Sequence, residues 1–156
     1  MIKIMFVCHG NICRSPMAEF IFKDLIKKEN LENEFFVSSS ATSPEEIYMG
    51  IGNPVYPPAK AELLKHGINS DGKRAVQLKK TDYNKYDYFV GMDSVNIRNM
   101  YVILGGDKEN KISKLLDHTD KKGDVRDPWY TDRFDIAYSD ILRGCEALFE
   151  ELKSQL

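Results

Sequence analysis

Met1-Ile2-Lys3-Ile4-Met5-Phe6-Val7-Cys8-His9-Gly10-Asn11-Ile12-Cys13-Arg14-Ser15-Pro16-Met17 opens the chain. Residues 2–7 are apolar apart from Lys3, with β-branched Ile4 and Val7, and read as a buried strand. A short loop with one glycine follows, His9 to Arg14. Ser15-Pro16 then reads as a helix start, with Ser15 as N-cap and Pro16 at the first helical position. Met17, Phe20, Ile21 and Leu25 give that helix an apolar stripe at the 3.6-residue period. Strand, tight loop and helix make the opening half of a βαβ unit.

The rest of the chain repeats the alternation. Residues 34–38 read as a second strand through Phe35, Phe36 and Val37. Residues 38–58, rich in Ser, Pro and Gly, read as a long irregular connection, and such loops in compact domains are often functional. Residues 59–66 read as a helix stopped by Gly67 at C′. Residues 86–92 read as a third strand, followed by a helix capped by Asp93 or Ser94 and running to about Met100. Residues 111–116 read as a weaker fourth strand. Residues 117–133 are polar and acidic, and a final helix spans about 132–152 with Phe134, Ala137, Ile141, Cys145, Leu148, Phe149 and Leu152 on one face. The predicted fold is α/β: one domain over residues 1–156, a mostly parallel four-stranded sheet with helices on both faces, and a phosphate-binding loop after the first strand. Ligands of such sheets bind beyond the carboxyl ends of the strands, where the loop at residues 8–15 lies.

That loop has the parts of an anion site. A strand-to-helix loop gathers backbone N–H groups at the positive end of a helix. Gly10 permits a conformation that residues with a Cβ resist, and Asn11 tolerates the left-handed region. Arg14 offers a planar fork matched to two phosphate oxygens. Cys8 ends the strand at the floor of this cradle, where the surroundings favour thiolate over thiol and set it for in-line attack on phosphorus. A Cys and an Arg six places apart are common by accident; their position between an apolar strand and Ser-Pro makes the pattern specific. The competing reading of Cys8 alone is a small buried residue at a strand end.

Composition closes other routes. With 22 Lys+Arg against 24 Asp+Glu, the net charge is −2, which leaves no basic footprint for nucleic acid or an anionic membrane. No stretch is apolar and long enough for a bilayer span, and the N-terminal run lacks the cleavage pattern of a signal peptide, so the expected location is cytoplasmic. The three cysteines, Cys8, Cys13 and Cys145, make no disulfide framework, and the three histidines do not stand at zinc-ligand spacing from them. No metal and no cofactor is expected. His118 and the acidic run 117–127 read as solvated loop.

Val7 through Glu19 resembles the signature of the low-molecular-weight protein tyrosine phosphatases. The segments Ser39-Ser40-Ala41-Thr42-Ser43, Lys65-His66-Gly67-Ile68, Gly91-Met92-Asp93 with Asn96, and Asp127-Pro128-Trp129-Tyr130 are similar to later family segments in the same order. The resemblance implies a single-domain phosphatase acting on phosphotyrosine proteins or small aryl phosphates, releasing inorganic phosphate, as a monomer or weak homodimer. It implies Cys8 as nucleophile, Arg14 as phosphate ligand and Asp127 as general acid, later base. It places the N–H groups of His9, Gly10, Asn11, Ile12, Cys13, Arg14 and Ser15 around the phosphate. The Ser15 hydroxyl is expected on the Cys8 sulfur, and Asn11 holds the loop's shape with support from Ser39 and His66. Ile12, Trp129 and Tyr130 are expected to form the substrate cleft. Without the resemblance, Asp127 reads as a turn residue before proline, and Trp129 and Tyr130 as loop aromatics packed on the core.

Some positions leave alternatives open. Cys13 is either a disulfide partner that shields Cys8 from irreversible oxidation or a loop-packing thiol. Cys145 reads as core. Trp129 stands where the family often has Tyr, and Glu45 lies near a position often aromatic. Either Tyr48 takes that place or the wall is polar. Three other activities compete with phosphotyrosine hydrolysis. Phosphoarginine phosphatases of this fold carry Thr where Ile12 stands. Arsenate reductases need further mid-chain cysteines, which are absent between Cys13 and Cys145. A non-catalytic phosphoprotein-binding module would have no use for Cys8 together with Asp127.

Overall fold

A computed structural model describes residues 1–156. Its centre is strand β1 (Ile2–Cys8), followed by helix α1 (Arg14–Lys28) and strand β2 (Phe35–Ala41). A small antiparallel hairpin, β3 (Ile47–Tyr48) and β4 (Ile51–Gly52), leads to helix α2 (Pro57–Lys65). Then come β5 (Tyr88–Gly91), α3 (Ser94–Leu104), β6 (Ile112–Lys114), the short α4 (Pro128–Thr131) and the long α5 (Phe134–Lys153). The main sheet has four strands in the order β2-β1-β5-β6, and every pairing is parallel. From β1 the chain goes first to one side, to β2, and later to the other, to β5. The carboxyl end of β1 therefore lies beside the crevice that such a reversal opens.

The alternation of β1 divides the core into two layers. Ile4, Phe6 and Cys8 belong to the cluster formed with α1 and α5, through Met17, Ile21, Phe22, Ile141, Cys145, Leu148 and Phe149. Met5 and Val7 face the other way, against Phe89 and the α3 residues Met100 and Leu104. Because both faces are covered, β1 reads as one apolar run rather than an alternating one. Phe22 anchors the larger layer, in edge or tilted contact with Phe6, Phe35 and Phe149 at centroid distances of 5.6–5.7 Å. It is fully buried, and removing such a ring costs about 3–5 kcal/mol. Cys145 is core, as its helix face implied, and burial pushes its thiol pKa up.

Several boundaries differ from the sequence expectation. Helix α1 begins at Arg14 with Cys13 at the cap position, so Ser15 and Pro16 lie inside the first turn. Proline is tolerated there because the N–H groups of a first turn have no intrahelical acceptor. The 38–58 connection is not wholly irregular: β2 runs on to Ala41, and the hairpin β3–β4 follows. Asp93 is the N-cap of α3, its carboxylate accepting from the Asn96 N–H at 2.8 Å. The same helix runs one turn past Met100 and stops at Gly105, whose φ of 77° suits glycine. The weak fourth strand is only Ile112–Lys114, and Leu115–His118 is a 3-10 turn. Asp132, at φ 57°, breaks the last segment into α4 and α5.

Candidate active site

The loop between β1 and α1 is held by polar groups that burial obliges to be paired. Asn11 is 1% exposed and takes the left-handed conformation, φ 58°. Its Nδ2 donates to Ser15 Oγ at 2.8 Å and to Ser39 Oγ at 2.9 Å, and its Oδ1 accepts the Val76 N–H at 3.0 Å. One side chain thus ties the loop to α1, to β2 and to the segment before Leu78. Gly10 is not left-handed; its missing Cβ leaves room for Glu46, whose Cγ would lie 3.2 Å from it.

Beneath Asn11 lies a second layer. Ser39 donates its hydroxyl to Glu19 Oε1 at 2.6 Å. Glu19 is buried and also accepts from Lys23 at 2.6 Å, with the Lys73 ammonium 3.6 Å away. Lys73 in turn donates to the Ser39 carbonyl at 2.9 Å. Burial pushes the Lys73 pKa down, against the pull of Glu19. His66 does not join this network, contrary to the expectation. Its Nε2 lies 3.1 Å from Glu62 and its ring stacks on Tyr138 at 3.8 Å, at the end of α2. The support expected of His66 comes instead from Glu19 and Lys73. Both are charged residues that sequence reading places on the surface by default; the only signal was Glu19 within the signature stretch.

At the floor, the Cys8 sulfur is the acceptor of converging donors. The Asn11 and Ser15 N–H groups point to it at 3.3 and 3.4 Å, and the Ser15 hydroxyl lies 3.0 Å away. Two backbone N–H groups thus donate to one sulfur, and a hydroxyl lies within hydrogen-bond reach of it. Ser15 could not have capped α1, because its hydroxyl is engaged here. The N–H groups of His9, Gly10, Ile12 and Cys13 donate to no protein acceptor. They are free for the oxygens of an anion held over Cys8. Cys13 sits in the same cleft lining but is buried, and burial first, then Cys8 and Asp127, push its thiol pKa up.

Arg14 closes the cradle from a 2% exposed position. Its Nη1 donates to Asp93 Oδ2 at 2.7 Å and to the Val125 carbonyl at 2.9 Å. Burial works against the charge, but the Cys8 sulfur, Asp93 and Asp127 outweigh it, and the guanidinium pKa stands above its ordinary value. Asp93 therefore has two duties, cap of α3 and orienting partner of Arg14; the sequence showed only the first. Asp127 caps α4, its Oδ1 accepting from the Trp129 N–H at 3.0 Å, while Oδ2 stands 3.5 Å from Arg14 Nη2. The turn-residue reading and the functional reading of Asp127 describe the same carboxylate.

Cys8, His9, Gly10, Ile12, Cys13, Arg14, Asp127, Trp129 and Tyr130 line one cleft of about 340 Å³, together with Glu45 and Glu46. Trp129 packs on Tyr56 at 4.9 Å and stays half exposed, and Tyr130 is 84% exposed. The wall left open by the sequence is polar: Glu45 and Glu46 line it, and Tyr48, exposed beside the hairpin turn, is not part of the lining.

The family model for the low molecular weight phosphotyrosine protein phosphatases matches residues 3–156. Among curated proteins, the low molecular weight protein-tyrosine-phosphatase YfkJ of Bacillus subtilis is 37% identical, the match covering 99% of this chain and 98% of that one. The crystal structure of YfkJ superposes with a TM-score of 0.91 over 99% of this chain and 96% of that one. The low molecular weight phosphotyrosine protein phosphatase of Gallus gallus is 36% identical over 96% of this chain and 94% of that protein. A drosophila arginine phosphatase is 27% identical, with a TM-score of 0.86 over 97% of this chain and 98% of that one.

Proposed function

The chain belongs to the low molecular weight phosphotyrosine protein phosphatase family, and from that premise we propose that it hydrolyses phosphotyrosine in proteins through a phosphoenzyme formed on Cys8. The observation that carries the proposal is the convergence of the Asn11 and Ser15 N–H groups and the Ser15 hydroxyl on the Cys8 sulfur, with Arg14 and Asp127 in the same cleft. Phosphate binds over the sulfur on the unpaired loop N–H groups and on Arg14, whose Nη1 is fixed by Asp93 and Val125, whose Nη2 has only the 3.5 Å contact with Asp127, and whose Nε has no protein acceptor. The Cys8 thiolate attacks phosphorus in line as the bond to the tyrosyl oxygen breaks. Asp127 gives its proton to that oxygen, which makes the phenol a better leaving group. The equatorial oxygens gather charge, and the loop N–H groups and Arg14 meet it without rearranging.

In the second step water attacks the phosphocysteine. Asp127, now a carboxylate, takes the water's proton, the S–P bond breaks, and the electron pair returns to Cys8. The Ser15 hydroxyl at 3.0 Å receives the returning thiolate. Inorganic phosphate leaves. Trp129 and Tyr130 supply faces for the substrate ring, and Ile12 gives the cleft an apolar wall suited to it.

The test is phosphate release from matched phosphotyrosine, phosphoserine and phosphoarginine peptides, without added metal and with reductant, beside Cys8→Ser. Release from phosphotyrosine alone, lost in Cys8→Ser, is the expected result. Release mainly from phosphoarginine would keep the mechanism and overturn the reading of Ile12. No release from any peptide would overturn the enzyme assignment. No helix is long and apolar enough to cross a membrane, and the reading is of a cytoplasmic enzyme working as a monomer or weak homodimer.

A further inference from the structure

The lining of the cleft also holds two carboxylates, and neither is used in the chemistry above. Glu46 lies against the loop, its Cγ filling the space beside Gly10. Its Oε2 accepts from Asn53 Nδ2 at 2.8 Å, and its carbonyl accepts the Asn53 N–H at 2.8 Å. Glu45 is fixed by the Ser43 hydroxyl on its N–H at 3.1 Å and by His9 Nε2, 3.1 Å from its Oε2. Both side chains are thus held at the mouth, and each keeps a second carboxylate oxygen with no protein donor.

Apart from the His9 ring on Glu45, no basic side chain faces them. Arg14 is the only lysine or arginine in the cleft lining, and it is buried and shared between Asp93 and Asp127. A peptide whose phosphate sits over Cys8 must lay the residues beside its phosphotyrosine along this rim. A glutamate there meets like charge, and a lysine or arginine meets a prepared partner. We infer that Glu45 and Glu46 select phosphotyrosine flanked by lysine or arginine and disfavour phosphotyrosine flanked by acidic residues. The inference rests on the phosphotyrosine reading above and refines it.

The size of the preference follows from exposure. The Glu45 side chain is 66% exposed, so solvent screens its contacts and each is worth about fivefold at most. Two contacts give about tenfold in kcat/KM. The effect lies in KM, because the rim holds substrate and transition state alike and touches no reacting atom. It also weakens with salt, since an exposed contact is screened within a Debye length of about 8–10 Å.

The experiment uses two phosphotyrosine peptides, identical except for Arg or Glu at the flanking positions, each measured at low and high salt. Wild type is expected to favour the basic peptide about tenfold in kcat/KM at low salt, with the ratio shrinking at high salt. Glu45→Gln/Glu46→Gln is expected to bring the ratio near one, and Glu45→Lys to move it toward the acidic peptide. Thermal melts report whether the variants fold, and Glu45→Gln alone keeps the test open if Glu46→Gln disturbs the hairpin. Equal rates on both peptides in wild type, or a ratio untouched by salt and by the substitutions, would overturn the inference and leave the phosphotyrosine reading standing. No release from either peptide, with release from a phosphoarginine peptide, would overturn both.

Discussion

The floor and the rim of this cleft are built by opposite rules. At the floor, Cys8, Asn11, Arg14, Ser15 and Ser39 are all no more than 3% exposed, and each side chain has at least one named polar partner. At the rim, Trp129 is 54% and Tyr130 84% exposed, and Glu45 makes a single side-chain contact, with His9. A buried polar group left unpaired costs about 1–3 kcal/mol, so the floor tolerates one arrangement and little else. An exposed group has water as its fallback, so the rim can change residue by residue at little cost to the fold. The difference matches the proposal that chemistry lies at the floor and choice of substrate at the rim.

The sharpest way to break that division is to change the floor and look for surviving turnover. Cys8→Ser is expected to lose phosphatase activity by about 10⁴-fold or more while remaining folded; steady-state rates and a thermal melt check this. Asp127→Asn is expected to lose about 10²–10³-fold on phosphotyrosine. The loss should be smaller on p-nitrophenyl phosphate, whose leaving group needs no proton. Equal losses on the two substrates would contradict Asp127 as general acid.

Stability should separate the regions as well. Asn11→Ala leaves Ser15, Ser39 and the Val76 N–H short of a partner, and urea unfolding should show a loss of about 2–3 kcal/mol. Tyr130→Ala, on the rim, should fall within about 0.5 kcal/mol of wild type. Alkylation reads the floor directly. Iodoacetate at neutral pH should modify Cys8 alone and be blocked by inorganic phosphate, because burial holds Cys13 and Cys145 as thiols. Peptide mapping checks the site.

The smallest expected effect lies under the floor, at Lys73. Burial sets its folded pKa below the unfolded one. Between the two values the unfolded chain binds more protons, so this group makes stability rise with pH across that alkaline window. Lys73→Met should flatten the rise in urea midpoints measured there.

Legibility in the sequence follows the same division. The parallel sheet could be read because Ile4–Val7 and Tyr88–Val90 are covered on both faces and so appear as unbroken apolar runs. That Cys8, Arg14 and Asp127 share one cleft could be read because the resemblance runs through the loop and through Asp127-Pro128. What could not be read are the contacts between distant segments. Asp93 orients Arg14 across 79 residues, and Val76 reaches Asn11 across 65. Neither pairing leaves a local pattern. His66 was misplaced for the same reason: its sequence neighbourhood is that of the family, but its ring turns to Glu62 and Tyr138. Ser15 looked like a cap because Ser-Pro is a helix-start signal, and only the position of the Cys8 sulfur shows where its hydroxyl is spent.

The central claim, that the floor's sulfur carries the phosphoryl group between two steps, is tested most directly by trapping it. The wild-type enzyme is mixed with a phosphotyrosine peptide, quenched in acid during turnover, digested and mapped by mass spectrometry; Asp127→Asn, which slows the hydrolysis step, is run beside it. The account expects one phosphoryl group on the peptide containing Cys8, absent in Cys8→Ser. Turnover with no phosphorylated peptide in either protein, or the group found on another residue, would contradict it.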